Sequence, residues 1–280
     1  MRAGKSQEVP VVIRLGPILL PETSVYIAFS DLPIYTPLEL DVEIEQRFEE
    51  AQAKREAAGR PRFTRGSLAS MRQFHYIPGS DHLAIKVAQT DYGKFIGSAH
   101  LDLAATWGMD ALHTSVAICS HIVTGDNFAL FHLRGEIAYP GCIHVIGGML
   151  PFRLEDGSHQ HVFGAMKDEI FSELNINEAA ICDMYCIGIA SDQNPGRLNN
   201  ELLFWTSLNM TLAEVVESHG RSERPDKTEG DLMPVLNEPK PLADFLSRRA
   251  GRFVPTGWAC SLLAGRIKFE PDWMPEITKT

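Results

Sequence analysis

The sequence lacks a long hydrophobic run. No stretch approaches about 18 uninterrupted apolar residues, the length a membrane-spanning helix requires, so a spanning helix is excluded. It has no Cys-x-x-Cys pair, no internal repeat and no low-complexity tract. It is also short of positive charge: 26 Lys and Arg face 36 Asp and Glu, a formal charge of −10 with histidine neutral. Neutralising a nucleic-acid backbone takes clustered Lys and Arg, so neither nucleic acid nor an anionic membrane surface is an expected partner. A small anionic substrate would have to be handled locally, by a metal ion or a few placed cations.

No continuous apolar core follows the segment from Met1 to Glu8, because the run from Val11 to Leu20 is broken by Arg14, Gly16 and Pro17. A secretory signal is therefore not expected. Cys119, Cys142, Cys182, Cys186 and Cys260 are odd in number and sit mostly in apolar runs. That usage predicts reduced, buried thiols and a cytoplasmic protein. Cys182 and Cys186 have the spacing of a metal pair, but no second pair completes a structural zinc site.

What is present is an ordinary globular composition, 44% hydrophobic and 22% charged over 280 residues, enough for one or two domains with a sizeable core. Residues 11–14 and 24–29 are expected to be extended. A helix is expected from Asp41 to about Ala58, with Ile44, Phe48 and Ala51 on one face, early acids and a late Lys54-Arg55 pair; Gly59 and Pro61 end it. Ser67–Ile77 and His82–Thr90 read as strands joined at Pro78-Gly79-Ser80-Asp81. The sharpest local signal is Val116–Val123, then Thr124-Gly125-Asp126-Asn127, then Phe128–Leu133, a β-hairpin. A short strand, Ile143–Ile146, is expected to end on Gly147-Gly148, and a polar loop from Arg153 to His161 leads into a helix from Val162 to Ile176. Beyond it, Met184–Ala190 and Glu201–Leu208 are expected strands and Thr211 caps a short helix. The polar stretch His219–Asp231 reads as a loop, and Leu232–Leu236 as an edge strand, since Pro234 does not suit a central one. Leu242–Ala250 and Trp258–Ile267 read as closing helices.

The order strand, turn, strand, strand with Gly-Gly, loop, acidic helix resembles the Nudix hydrolases. Their signature is a Gly, five residues, a Glu, seven residues, then Arg-Glu-apolar-x-Glu-Glu-x-Gly-apolar. Glu169, Ile170, Glu173 and Ile176 match it. Asp168 stands where the family has Arg, Ser172 where it has Glu, and Asn175 where it has Gly; the loop before the helix carries about six extra residues. Glu155 is the nearest counterpart of the upstream Glu. Matches outside this box resemble the UDP-glucose diphosphatase branch: Pro61-Arg62-Phe63 after an N-terminal helix, Tyr92-Gly93-Lys94-Phe95-Ile96-Gly97-Ser98, and Gly188-Ile189-Ala190 after the box helix. That branch also has the long loop before the helix and an Asn for the box Gly. The resemblance runs in order from roughly residue 25 to 210. It implies a Nudix-type α/β/α sandwich with a mixed sheet over residues 111–280 and an α+β extension over 1–110 packed on it.

The residues themselves admit the implied chemistry. Glu169 and Glu173 are four apart, so on a helix they share a face, with Ser172 beside them. Phe163, Met166, Ile170 and Leu174 form an apolar stripe on the other side. Two such carboxylates alone read as a solvated surface pair. Within the resemblance they imply ligands for Mg²⁺ or Mn²⁺, with Glu155 or Asp156 as a further ligand or base. The resemblance also implies that Gly147 and Gly148 let the backbone approach metal and phosphates, that Tyr92 is a platform for uracil, and that Arg134 pairs with a diphosphate. The competing readings are a core aromatic for Tyr92, a surface residue for Arg134 and a plain turn for the glycines. His159-Gln160-His161 reads as a polar loop, His121, His132 and His144 as satisfied or half-buried strand residues, and Asn199 and Asn200 carry no assigned role. The expected activity is metal-dependent hydrolysis of a UDP-sugar to UMP and a sugar 1-phosphate by a monomer or homodimer. Two alternatives stay open: a Nudix fold that has lost hydrolysis and binds a nucleotide or a partner, and hydrolysis of another nucleoside diphosphate such as ADP-ribose.

Overall fold

The computed structural model describes residues 11–135, 139–192, 194, 199–221, 229–270 and 273. The segment from Met1 to Glu8 and residues 222–228 of the expected polar loop lie outside them. Among the described residues the strands are β1 (Val11–Leu15), β2 (Val25–Ser30), β3 (Ser67–Ile77), β4 (His82–Asp91), β5 (Ser115–Val123), β6 (Phe128–Arg134), β7 (Ile143–His144), β8 (Ile146–Met149), β9 (Ile181–Asp192), β10 (Asn199–Leu208) and β11 (Glu229–Leu236). The helices are α1 (Leu38–Ala57), α2 (Tyr92–Ser98), α3 (Leu101–Trp107), α4 (Val162–Leu174), α5 (Leu212–Gly220), α6 (Pro239–Arg249) and α7 (Pro255–Phe269). No helix among the described residues is long and apolar enough to cross a membrane.

The large sheet runs β1-β9-β10-β5-β6-β11, with β7 on β6 and β8 on β5. It is mixed: β5 and β10 are parallel and the other pairs antiparallel. Successive side chains of a strand point to opposite faces, and β5, at the centre, is buried on both along its whole length. Ile118, Leu202 and Phe204 join the core under α4, while Cys119 and Leu203 join a second core under α6 and α7. Helices cover both faces, so the expected α/β/α sandwich with a mixed sheet is what the chain forms. The α4 stripe of Phe163, Met166, Ile170 and Leu174 is fully buried, contributing about 1.5–3 kcal/mol per side chain relative to exposure. Thr211 caps α5 in a reciprocal capping box with Glu214. Pro234 lies in β11, the edge strand beside β6, as its missing N–H requires.

The N-terminal part first gives β1 to the large sheet and then builds a smaller one, β2-β4-β3. Ala69, Met71, Leu83, Ile85 and Val87 of that sheet share the core of α4, and Ala69 N–H donates to the Leu150 carbonyl at 2.9 Å. Helix α1 begins at Leu38, three residues before the expected start, because Pro37 supplies a fixed φ of −53° at the cap. Its inner face is Leu40, Ile44, Phe48 and Gln52, so Gln52 takes the place expected of Ala51. The Gln52 side chain explains this: its amide donates to the Phe63 carbonyl at 3.0 Å and accepts from the Phe63 N–H at 2.8 Å. Pro61-Arg62-Phe63 is thereby tied to the helix.

Three further expectations change. Gly147 and Gly148 lie inside β8 rather than after a strand, with Gly147 opposite Cys119 and Gly148 opposite Ile118. Helix α4 stops at Leu174, because Asn175 turns left-handed at φ 57°, a conformation asparagine tolerates in place of glycine. All five cysteines are free thiols, but Cys182 is exposed on β9 and Cys142 half-buried; Cys119, Cys186 and Cys260 are buried as expected.

Candidate active site

Strand β5 forks. Its first half, Ala117–Ser120, pairs with β8, and Ile122 and Val123 pair with β6. The fork brings Gly147 and Gly148 against neighbouring chain. A Cβ on Gly147 would lie 2.2 Å from the Ile118 carbonyl oxygen, and one on Gly148 would lie 2.2 Å from Glu169 Oε1. Both distances are far inside van der Waals contact: at Gly147 the obstacle is backbone, so the position requires glycine, and at Gly148 a side chain would displace the Glu169 carboxylate. The half-buried Glu169 carboxylate of α4 thus rests directly on the backbone of β8. Beside it opens a cavity of about 90 Å³, lined by Gly147, Gly148, Arg134, His144, Asp192 and Glu201 among others.

The structure brings together some of the expected residues and separates others. Arg134, Gly147 and Gly148 line the cavity, and Glu169 abuts its Gly148 wall. Glu173 points inward: its side chain is 2% exposed, with Oε2 3.9 Å from Nδ1 of His132. Ser172 is half-buried and its hydroxyl donates to the Glu169 carbonyl at 3.1 Å, within the helix. Tyr92 packs on Phe63 and Phe95, with ring centroids 5.3 and 6.0 Å apart; Phe95 lines the cavity and Tyr92 does not. Glu155 and Asp156 are exposed on the loop before α4 and do not line it.

That loop is clamped to the small sheet. The His159 ring stacks on Phe29 at 3.9 Å, and its Nδ1 lies 2.6 Å from the Phe152 carbonyl oxygen. His161 caps α4 and places Nε2 2.9 Å from the Val25 carbonyl oxygen. His159 and His161 therefore fix the approach to α4.

Sequence reasoning missed the far wall of the cavity. His144 and Glu201 are almost fully buried, with Nε2 of His144 3.7 Å from Oε1 of Glu201. Burial holds the His144 imidazole well below its ordinary pKa and pushes the Glu201 carboxyl up, so the contact is not that of two settled opposite charges. A Cβ on Gly257 of α7 would come within 2.2 Å of His144 Nδ1, so that helix packs directly on the ring. The His132 and His144 rings lie 6.0 Å apart and nearly parallel. Asp192 accepts from the Asn194 N–H at 2.9 Å and from the Tyr139 hydroxyl, which in turn accepts from the Asn194 amide at 2.8 Å. The available signal was polar: Asp192 closes one apolar strand run, and Glu201 opens another.

Among the described residues, no group of three or more His, Cys, Asp and Glu side chains gathers as a closed metal cage. Magnesium commonly takes one or two carboxylates, with phosphate oxygens and water completing the shell. Glu169, seated in a gap that only glycine leaves, fits that requirement.

No described protein family matches the sequence, and no curated protein matches it. Solved structures with a similar backbone arrangement include the NUDIX domain of Shewanella oneidensis NrtR complexed with ADP ribose. It is 9% identical, with a TM-score of 0.40, over 59% of this chain and 95% of that one. DR0079 from Deinococcus radiodurans is 14% identical, with a TM-score of 0.36, over 53% of this chain and 80% of that one. A NUDIX hydrolase from Nitrosomonas europaea is 12% identical, with a TM-score of 0.34, over 54% of this chain and 90% of that one.

Proposed function

We propose that the chain is a Nudix-type hydrolase that cleaves the diphosphate of a nucleoside diphosphate sugar, with a UDP-sugar as substrate and UMP and a sugar 1-phosphate as products. The observation that carries the reading is the Glu169 carboxylate lying on the backbone of Gly148, at the wall of a cavity that Arg134 also lines. Glu169 of α4 is the residue proposed to hold Mg²⁺ or Mn²⁺, joined by Glu173 if its carboxylate turns from His132 toward the ion. Such an ion, when bound, neutralises phosphate charge and lowers the pKa of water.

The chain's own residues have separate tasks in this reading. Gly147 and Gly148 line the cavity with bare backbone for the substrate's phosphates to meet, and Gly148 also leaves room for the Glu169 carboxylate. Arg134 offers a planar cation suited to phosphate oxygens. Glu155, exposed on the loop before α4, is available as a base once substrate is bound. Tyr92 and Phe95, on the helix that follows β4, carry the resemblance to uridine-nucleotide enzymes; Tyr92 is the proposed base platform.

A second reading has its own support. Ser172 offers no charge where a carboxylate is expected, and Glu173 faces His132 in the interior. Both favour a domain that binds a nucleotide without hydrolysing it. Incubation with Mg²⁺ and a panel of UDP-glucose, UDP-galactose and ADP-ribose separates the readings. The first predicts UMP release from a UDP-sugar. Absence of turnover on every compound, with UDP-glucose still raising the melting temperature, would overturn it in favour of the second. Turnover of ADP-ribose alone would move the substrate assignment.

A further inference from the structure

The cavity has an unusual lining for a site that meets phosphates. Asp192 and Glu201 are 1% and 3% exposed and both face it. Two carboxyl groups there offer an anion little but hydrogen-bond hydroxyl groups, as acceptors when ionised and as a donor too when protonated, the form that burial favours for Glu201. Asn199, half-buried at the start of β10, adds an amide that can both donate and accept. Thr256 Oγ1 is fully buried on the same wall, beside the Glu201 carboxyl, and makes no well-formed hydrogen bond. Phe95, Met149 and Val254 give the remaining wall an apolar surface. Buried acceptors on one side and C–H-compatible surface on the other suit a sugar ring, which carries hydroxyls at its edge and C–H bonds on its faces. The volume of about 90 Å³ holds several groups of water size, each needing roughly 10–15 Å³ on this measure.

We propose that this cavity seats the sugar of the substrate, with Asp192, Glu201 and Asn199 binding its hydroxyls and Arg134 binding the phosphate attached to it. The proposal deepens the hydrolase reading, because it assigns the leaving half of a nucleoside diphosphate sugar to a place. The position of Asp192 is fixed by Tyr139 and Asn194. That of Glu201 is set by its strand, β10, which is bonded to β5 on one side and β9 on the other. The Asp192 carboxylate is therefore held in place before a ligand arrives and burial confines that of Glu201, which lowers the entropic cost of binding. Specificity for one sugar over its epimer follows from which hydroxyls reach the two carboxylates. A hydroxyl that leaves a buried carboxylate unsatisfied is strongly disfavoured.

The test uses glucose 1-phosphate, galactose 1-phosphate and inorganic phosphate as separate probes on the full chain, with calorimetric titration as the readout. The expected result is that at least one hexose 1-phosphate binds about tenfold or more tightly than inorganic phosphate. Glu201→Gln and Asn199→Ala are each expected to remove most of that preference while leaving phosphate affinity unchanged. Glu201 is buried, so melting temperatures accompany both variants; Asn199 is half-buried and its variant keeps the test open if Glu201→Gln fails to fold. Equal affinity for hexose 1-phosphates and phosphate in the wild-type protein, or an undiminished preference in Asn199→Ala, would overturn the proposal. Failure of the hydrolase reading has a different signature. Sugar 1-phosphate would still bind and the variants would still weaken it, while no UMP is released from UDP-glucose.

Discussion

Glu169 and Glu173 stand four residues apart on α4, and the helix gives both the same general direction. Their surroundings are nevertheless opposite. Glu169 is half-buried with its carboxylate on the Gly148 backbone beside a cavity. Glu173 is almost fully buried, 3.9 Å from the imidazole of His132. Spacing along a helix fixes which residues share a face, but depth is decided by what lies across from them. Opposite Glu169 is a strand stripped of side chains by two glycines. Opposite Glu173 is β6, whose histidine occupies the space.

The largest expected effect is on the open side. Gly148→Ala places a methyl where the Glu169 carboxylate now lies, at 2.2 Å, so the carboxylate must move. A displacement of about 1 Å at a reacting centre can cost about 10²-fold, and turnover of UDP-glucose is expected to fall by at least that much with little change in melting temperature. An unchanged rate would mean that the Glu169 position is not used.

On the closed side the effect should appear in stability. His132→Phe removes one partner of a buried pair and leaves Glu173 facing an apolar ring. Leaving a buried polar group without its partner costs about 1–3 kcal/mol, read as a lower midpoint in urea denaturation. A change below about 1 kcal/mol would show that other contacts of Glu173 hold it.

The interior also sets a pH dependence. Burial lowers the pKa of His113 and of His121 to about 4, against an ordinary 6.5. Between these values the unfolded chain takes up protons that the folded chain refuses. Stability contributed by neutral burial is therefore complete above pH 6.5, declines as pH falls through the window, and levels off below about pH 4. The limiting slope is about 1.4 kcal/mol per pH unit for each histidine. Denaturation of the wild-type protein and of His121→Gln at pH 7 and pH 5 checks this, with a shallower loss expected in the variant.

The smallest effect is expected at Ser172. Its hydroxyl bonds the Glu169 carbonyl within the helix at 3.1 Å, and alanine is the better helix former. Ser172→Ala should change stability by no more than about 0.5 kcal/mol and turnover by less than about twofold. A large loss of turnover would place Ser172 at the substrate.

Much of this was legible in the sequence. The hairpin, the α4 stripe, the edge position of Pro234 and the Thr211 cap all follow from periodicity and local chemistry, which act over a few residues. The buried side of Glu173 was not legible, because it depends on His132, far away in sequence and brought near only by the fork in β5. The wall of Asp192 and Glu201 was missed for the same reason. Each looks like a polar residue at a strand end until antiparallel β9 and β10 set them beside one cavity. Gly148 was visible as part of a pair, but its purpose, room for a carboxylate, required the packing of α4.

The most direct test of the account is UMP release from UDP-glucose in the presence of Mg²⁺ by the wild-type protein and by Glu169→Gln, measured together. The account predicts release by the wild-type protein and a loss of about 10²-fold or more in the variant. Equal rates for the two proteins would contradict it.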